Sequence, residues 1–106
     1  MPDRIETLRT MLDARPDDAR LRFGLALEYL RAGRDQEAVE ALRAYLSDAE
    51  DEGNAWGRLG AALERLGRRD EAVEAYRTGI EAAERHGHPT MADEFRAALD
   101  DLDGGA

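Results

Sequence analysis

Apolar residues recur along this chain at steps of three and four, the spacing of one face of an α-helix. Leu21, Leu25, Ala26, Leu27 and Tyr29 form one such stripe, and Ala38, Val39, Leu42, Tyr45 and Leu46 form the next. Trp56, Leu59, Gly60, Leu63 and Leu66 make a third, and Ala72, Val73, Tyr76, Ile80 and Ala83 a fourth. Shorter stripes flank them: Ile5, Leu8, Met11 and Leu12 at one end, Met91, Ala92, Phe95, Ala98, Leu99 and Leu102 at the other. The pattern predicts an all-α chain with helices near 3–14, 18–32, 35–49, 53–66, 69–86 and 89–102.

The stripes repeat. Shifted by 34 residues, Gly33-Arg34 falls on Gly67-Arg68, and the run Glu37 to Ala41 falls on Glu71 to Ala75, identical at all five positions. Leu25 meets Leu59, Arg31 meets Arg65, and the small Ala26 meets the small Gly60. Gly33 and Gly67 stand where the first helix of each pair should end, because glycine readily takes the left-handed conformation that closes a helix. Asp35 and Asp70 are expected to cap the helices that follow, and Pro16-Asp17-Asp18 opens the first pair in the same way, with an Asp as N-cap. His86-Gly87-His88-Pro89 reads as a further break. Asp100, Asp101 and Asp103 lie at a helix C-terminus, where the dipole disfavours acids, so fraying is expected there and through Gly104-Gly105-Ala106.

The period of 34, with Trp56-x2-Leu59-Gly60-x2-Leu63 followed by Gly67, Ala72 and Tyr76, resembles the tetratricopeptide repeat family, in its small bacterial form. Leu25-Ala26-x2-Tyr29, then Gly33 and Ala38, carries the same pattern in the first unit, with Arg22 standing where the pattern has an aromatic. The resemblance implies a right-handed superhelical stack of antiparallel helix pairs in a single domain over 1–106. Within it, 3–16 is an N-terminal half-repeat helix, 19–52 repeat 1, 53–86 repeat 2 and 89–102 a capping helix. Neighbouring pairs must stack, since one pair cannot bury its own apolar faces. Trp56 matches the buried aromatic of the repeat.

The resemblance also implies a function: holding a peptide or partner protein in a concave groove lined by the first helix of each pair. The positions that would face it are Arg20, Phe23, Leu27, Leu30 and Arg31 in repeat 1. In repeat 2 they are Asn54, Gly57, Arg58, Ala61, Glu64 and Arg65. Phe23, Leu27 and Leu30 read equally well as groove anchors or as core, and the same patch could seat a second copy of the chain. At the positions of the carboxylate clamp used by chaperone-binding relatives stand Phe23, Leu27, Arg58, His88 and Ala92, of which only Arg58 could serve.

Composition narrows the chemistry. There is no cysteine, which removes disulfides, thiolate metal sites and cysteine nucleophiles. Ser47 is the only serine, and no motif around it supports covalent catalysis, so an enzyme is not expected and no cofactor is implied. All 15 basic residues are arginine, and 24 acids leave a net charge of −9. That balance disfavours nucleic acid and anionic membrane surfaces. No apolar run approaches a membrane span or a signal peptide, so the cytoplasm is the expected location. His86 and His88 read as a solvated turn and not a metal site, and Asp48, Glu50, Asp51 and Glu52 as linker and cap chemistry.

Overall fold

The computed structural model describes residues 3–104. Among them it contains six helices and no strand: α1 (Arg4–Ala14), α2 (Ala19–Arg31), α3 (Asp35–Asp48), α4 (Asn54–Arg65), α5 (Arg69–Arg85) and α6 (Pro89–Gly104). The periodicity therefore located every helix. Met1, Pro2, Gly105 and Ala106 lie outside the described residues, and with them most of the tail expected to fray.

Local chemistry sets the boundaries. Asp3 accepts from the Glu6 N–H and Asp18 from the Leu21 N–H, capping α1 and α2; of the two aspartates after Pro16 it is Asp18 that caps. Asp35 and Asp70 do not cap. They lie inside the first turns of α3 and α5, and the flanking residues are Arg34 and Arg68. The reason is the turn before them. Gly33 and Gly67 take φ of +73° and +74°, and Gly87 repeats this at +75°. In the first turn the Gly33 N–H bonds the Leu30 carbonyl at 3.1 Å and the Arg34 N–H bonds the Tyr29 carbonyl at 2.9 Å. This is a Schellman motif, and the residue that closes it also opens the next helix. Gly67-Arg68 and Gly87-His88 make the same pair of bonds. Arg34 then reaches Glu37 with two 2.6 Å bonds and lies 5.0 Å from the Tyr29 ring centre.

The chain forms two compact units, divided between Ala49 and Glu50. In the first, α2 packs against both α1 and α3. Ile5, Leu25, Tyr29 and Ala38 form its core, with Leu8, Leu12, Leu30 and Ala41 packed around them. Arg22 sits where repeat 2 has Trp56. Its guanidinium donates to the Pro16 carbonyl at 2.6 and 3.0 Å and to Asp48 at 2.6 Å, tying the α1–α2 turn to the end of α3.

In the second unit α5 packs against both α4 and α6. Close approach depends on small residues. A β-carbon on Gly60 would stand 2.9 Å from the Tyr76 ring, and one on Gly79 would stand 3.0 Å from the Phe95 ring. Tyr76 and Phe95 pack with centroids 5.9 Å apart. The buried Tyr76 hydroxyl donates to Glu64, satisfying the one polar group the ring carries inward. Burial and the Glu64 carboxylate together push the phenol well above its ordinary value. Trp56, expected to be buried, is half-buried. α6 keeps its helical backbone to Gly104, past the acids at its end, and there Arg69 donates to the Leu102 carbonyl and lies 3.9 Å from Asp103.

Candidate interaction faces on the first helices

On α2 the buried stripe is Leu25, Ala26 and Tyr29, which turns Phe23, Leu27 and Leu30 to its flank. All three are half-buried, and Arg20 and Arg31 are exposed. The structure divides them by environment. Phe23 packs on Tyr45 of α3, ring centres 5.0 Å apart, and Leu30 packs against the unit's core. Part of each is thus structural, and part remains accessible. Arg31 bonds Glu28 at 2.7 Å, and Glu28 also takes a bond from Arg4 at 3.0 Å.

On α4 the buried stripe is Ala55, Leu59, Gly60, Ala62 and Leu63. Asn54, Arg58 and Arg65 are exposed and Ala61 is half-buried, so the four share the accessible side of the helix. Arg58 is steadied by the Asn54 side chain at 3.2 Å. Gly57 does not belong with them: the Phe95 ring of α6 covers it. Glu64, also read as groove-facing, accepts the Tyr76 hydroxyl.

The acidic linker and the histidine turn meet inside the second unit, which their separate positions in the sequence did not signal. Asp51 accepts from the Gly53 and Ala55 N–H groups at 2.9 Å each, capping α4 from outside the helix. Glu52 bonds His88 at 2.5 Å, and this bond holds the Glu52 carboxyl below its ordinary range. His86 Nε2 is buried, without a hydrogen bond, 3.6 Å from Glu50. The turn is solvated at Gly87 and Pro89, as expected, while its two imidazoles lie beside carboxylates of the linker. Among the described residues no group of three or more histidine or acidic side chains is arranged to hold a metal ion.

A separate cleft of about 300 Å³ opens in the first unit. Leu12, Leu25, Ala41 and Ala44 supply its apolar lining, with Pro16, Asp13 and Arg22. The sequence signal for it is the 34-residue shift that sets Arg22 against Trp56.

Among the described residues no helix is long and apolar enough to cross a membrane. A family model described as Tetratricopeptide repeat matches residues 2–83. The solution structure of a protein from Bordetella parapertussis is 31% identical, with a TM-score of 0.82 over 99% of this chain and 91% of that one. A tetratricopeptide repeat domain protein from Salinibacter ruber is 29% identical, with a TM-score of 0.74 over 84% of this chain and 90% of that one. MamA AMB-1 is 26% identical, with a TM-score of 0.64 over 96% of this chain and 69% of that one. No curated protein matches the sequence.

Proposed function

Because this chain belongs to the tetratricopeptide repeat family, we propose that it binds a peptide or partner protein through the accessible sides of α2 and α4, the first helix of each pair. The observation that carries the reading is the half-exposure of Phe23, Leu27 and Leu30 between exposed Arg20 and Arg31. An apolar strip edged by guanidinium groups suits a partner that presents an aliphatic or aromatic side chain beside a carboxylate or free carbonyls. In the second unit, Asn54, Arg58 and Arg65 present polar and guanidinium groups of the same kind on α4, with Ala61 beside them. Binding and not catalysis fits the residues present: the one serine, Ser47, donates its hydroxyl back to the Ala44 carbonyl at 2.8 Å.

The test combines Phe23→Ala with Leu27→Ser. Folding is checked by circular dichroism, and affinity for a partner identified by cross-linking and mass spectrometry is measured by calorimetry. Burying such a side chain stabilises a complex by about 1.5–3 kcal/mol, so a loss of roughly tenfold to a hundredfold is expected. A folded variant with unchanged affinity refutes the reading. A second copy of the chain is the alternative partner, supported by the same patch. Sedimentation over a concentration range separates the two, since only self-association makes the mass rise with concentration.

A further inference from the structure

We propose that the linker before α4 is latched to the turn between α5 and α6 by two imidazolium–carboxylate pairs, His86 with Glu50 and His88 with Glu52, and that the latch is released as pH rises through the range in which imidazole loses its proton. Release unseats the linker and loosens the cap of α4. All of these groups belong to the second unit. None of them is on the α2 and α4 faces, so this proposal and the reading of those faces stand or fall separately.

The first support is how the linker is seated. Gly53 is buried at φ +128°, and a β-carbon there would stand 2.8 Å from the Met91 sulfur of α6 and 3.3 Å from the Ala83 side chain of α5. The linker backbone therefore lies directly on both helices. Seated there, Asp51 accepts from the Gly53 and Ala55 N–H groups at 2.9 Å each. Gly53 stands at the N-cap position and has no side chain to cap with. The start of α4 thus depends on a linker residue, and so on where the linker rests.

The second support is what holds it. The chain has two histidines, and each meets a linker carboxylate 36 residues away. Glu52 accepts from His88 Nε2 at 2.5 Å. His86 Nε2 is buried without a hydrogen bond, 3.6 Å from Glu50. A buried polar atom without a partner calls for an explanation, and a proton supplies one. In a neutral ring, a bare Nε2 turns a lone pair towards the carboxylate. In the imidazolium the same nitrogen is a donor facing an acceptor, and such a charge-assisted bond is about twice as strong as a neutral one. The other charges around the rings come from the end of α5, Glu84 and Arg85, and from α6, Asp93, Glu94 and Arg96. Arg96 is taken up by Glu84 at 2.5 Å and Asp93 at 3.1 Å, and the first turn of α4, residues 54–57, carries no charge. Acids therefore outnumber guanidinium groups here. The bond to His88 also holds the Glu52 carboxyl below its ordinary range, so around neutral pH the proton that comes and goes is the one on the imidazole.

The test uses the full chain, isotope-labelled for NMR. It reads the amide protection of Gly53 and Ala55 at about pH 5.5 and about pH 8.5, either side of the ordinary imidazole value of about 6.5. Protection is taken relative to the unstructured exchange rate at each pH. It is expected to fall about threefold to tenfold from the acid to the alkaline condition, as two exposed ion pairs are lost. Leu21 is the internal control: its N–H is capped by Asp18 in the first unit, which holds no histidine, and its protection should not change. Glu50→Gln with Glu52→Gln removes both charges from side chains that are 76% and 59% exposed. In that variant Gly53 and Ala55 should show the alkaline level of protection at both pH values. Equal protection at the two pH values in the unsubstituted protein overturns the proposal. So does an undiminished fall in the double variant, or a fall at Leu21 as large as at Gly53 and Ala55. If the double variant fails to fold, the comparison of Gly53 and Ala55 with Leu21 decides. The assay contains no partner, so its outcome is independent of what the α2 and α4 faces bind.

Discussion

The Phe95 ring of α6 occupies the space that a β-carbon on Gly57 of α4 would need. The two residues are 38 apart in the sequence. Their contact explains why α4 tolerates a poor helix former in its interior: the missing side chain is the socket for an aromatic ring from the last helix. Phe95 also reaches Gly79 and Tyr76, so one ring joins all three helices of the second unit.

Gly57→Ala should therefore destabilise the protein by about 1–3 kcal/mol, the cost of overpacking, and this outweighs the gain of about 1 kcal/mol in helix propensity. Gly24→Ala is the control. Its β-carbon would meet only Leu8, at an ordinary 3.9 Å, so it should stabilise by about 0.4–1 kcal/mol. Urea melts of the two variants should move the midpoint in opposite directions.

Tyr76 governs alkaline stability. Its folded-state value is raised above the ordinary 10.0 by burial first and by the bond to Glu64 second. The neutral phenol is thus favoured by folding. That contribution is complete below the ordinary value and is lost as pH rises from there towards the folded value. Tyr76→Phe should cost about 1 kcal/mol at neutral pH and flatten the alkaline fall. Equal slopes for the two proteins above the phenol range would contradict this.

Glu52 works at the acid end. Its folded value lies below the ordinary 4.5 because His88 bonds the carboxylate. Its contribution is complete above the ordinary value and is lost as pH falls through the folded one. His88→Ala should return the Glu52 carboxyl to the ordinary glutamate range. Carbon-detected titration of the side chain reads this directly, and an unmoved midpoint would show that the bond does not persist in solution.

The left-handed turns give a fourth expectation. Gly33→Ala and Gly67→Ala should each cost about 1–2 kcal/mol, because a β-carbon at their φ meets the following carbonyl. No atom beyond the glycine and its chain neighbours lies within 4 Å of either β-carbon position, so the cost is conformational alone, and with the two glycines in different compact units the two should add. A thermal melt of the double variant showing less than the sum would contradict independent costs.

The helices were legible because each buries a stripe whose period survives in the letters, and Gly33 and Gly67 marked two ends for a reason of backbone geometry. Gly87 obeys the same geometry and was visible only as part of a break. Asp35 and Asp70 were misplaced by one and two residues because the Schellman closure makes Arg34 and Arg68 serve two helices at once. The contacts of Gly57 with Phe95 and of Glu52 with His88 span 38 and 36 residues. No local pattern encodes such distances. The α2 and α4 faces were predicted as surfaces, and their arginines are exposed; the support that Phe23 takes from Tyr45 depends on how α2 lies on α3.

Arg34, Arg68 and His88 each end one helix and begin the next, so three of the five connections contain three residues. Such a connection has no residue to spare. An inserted residue would break either the closing bonds of one helix or the start of its neighbour, and the register of the pair would go with it. Length variation is thereby confined to the two longer links, 15–18 and 49–53. Diversification of this scaffold, whether by natural divergence or in a designed library, has to proceed by replacing side chains on rigid helix faces. Grafting longer loops, the route open to antibody-like frameworks, is closed at the three tight turns.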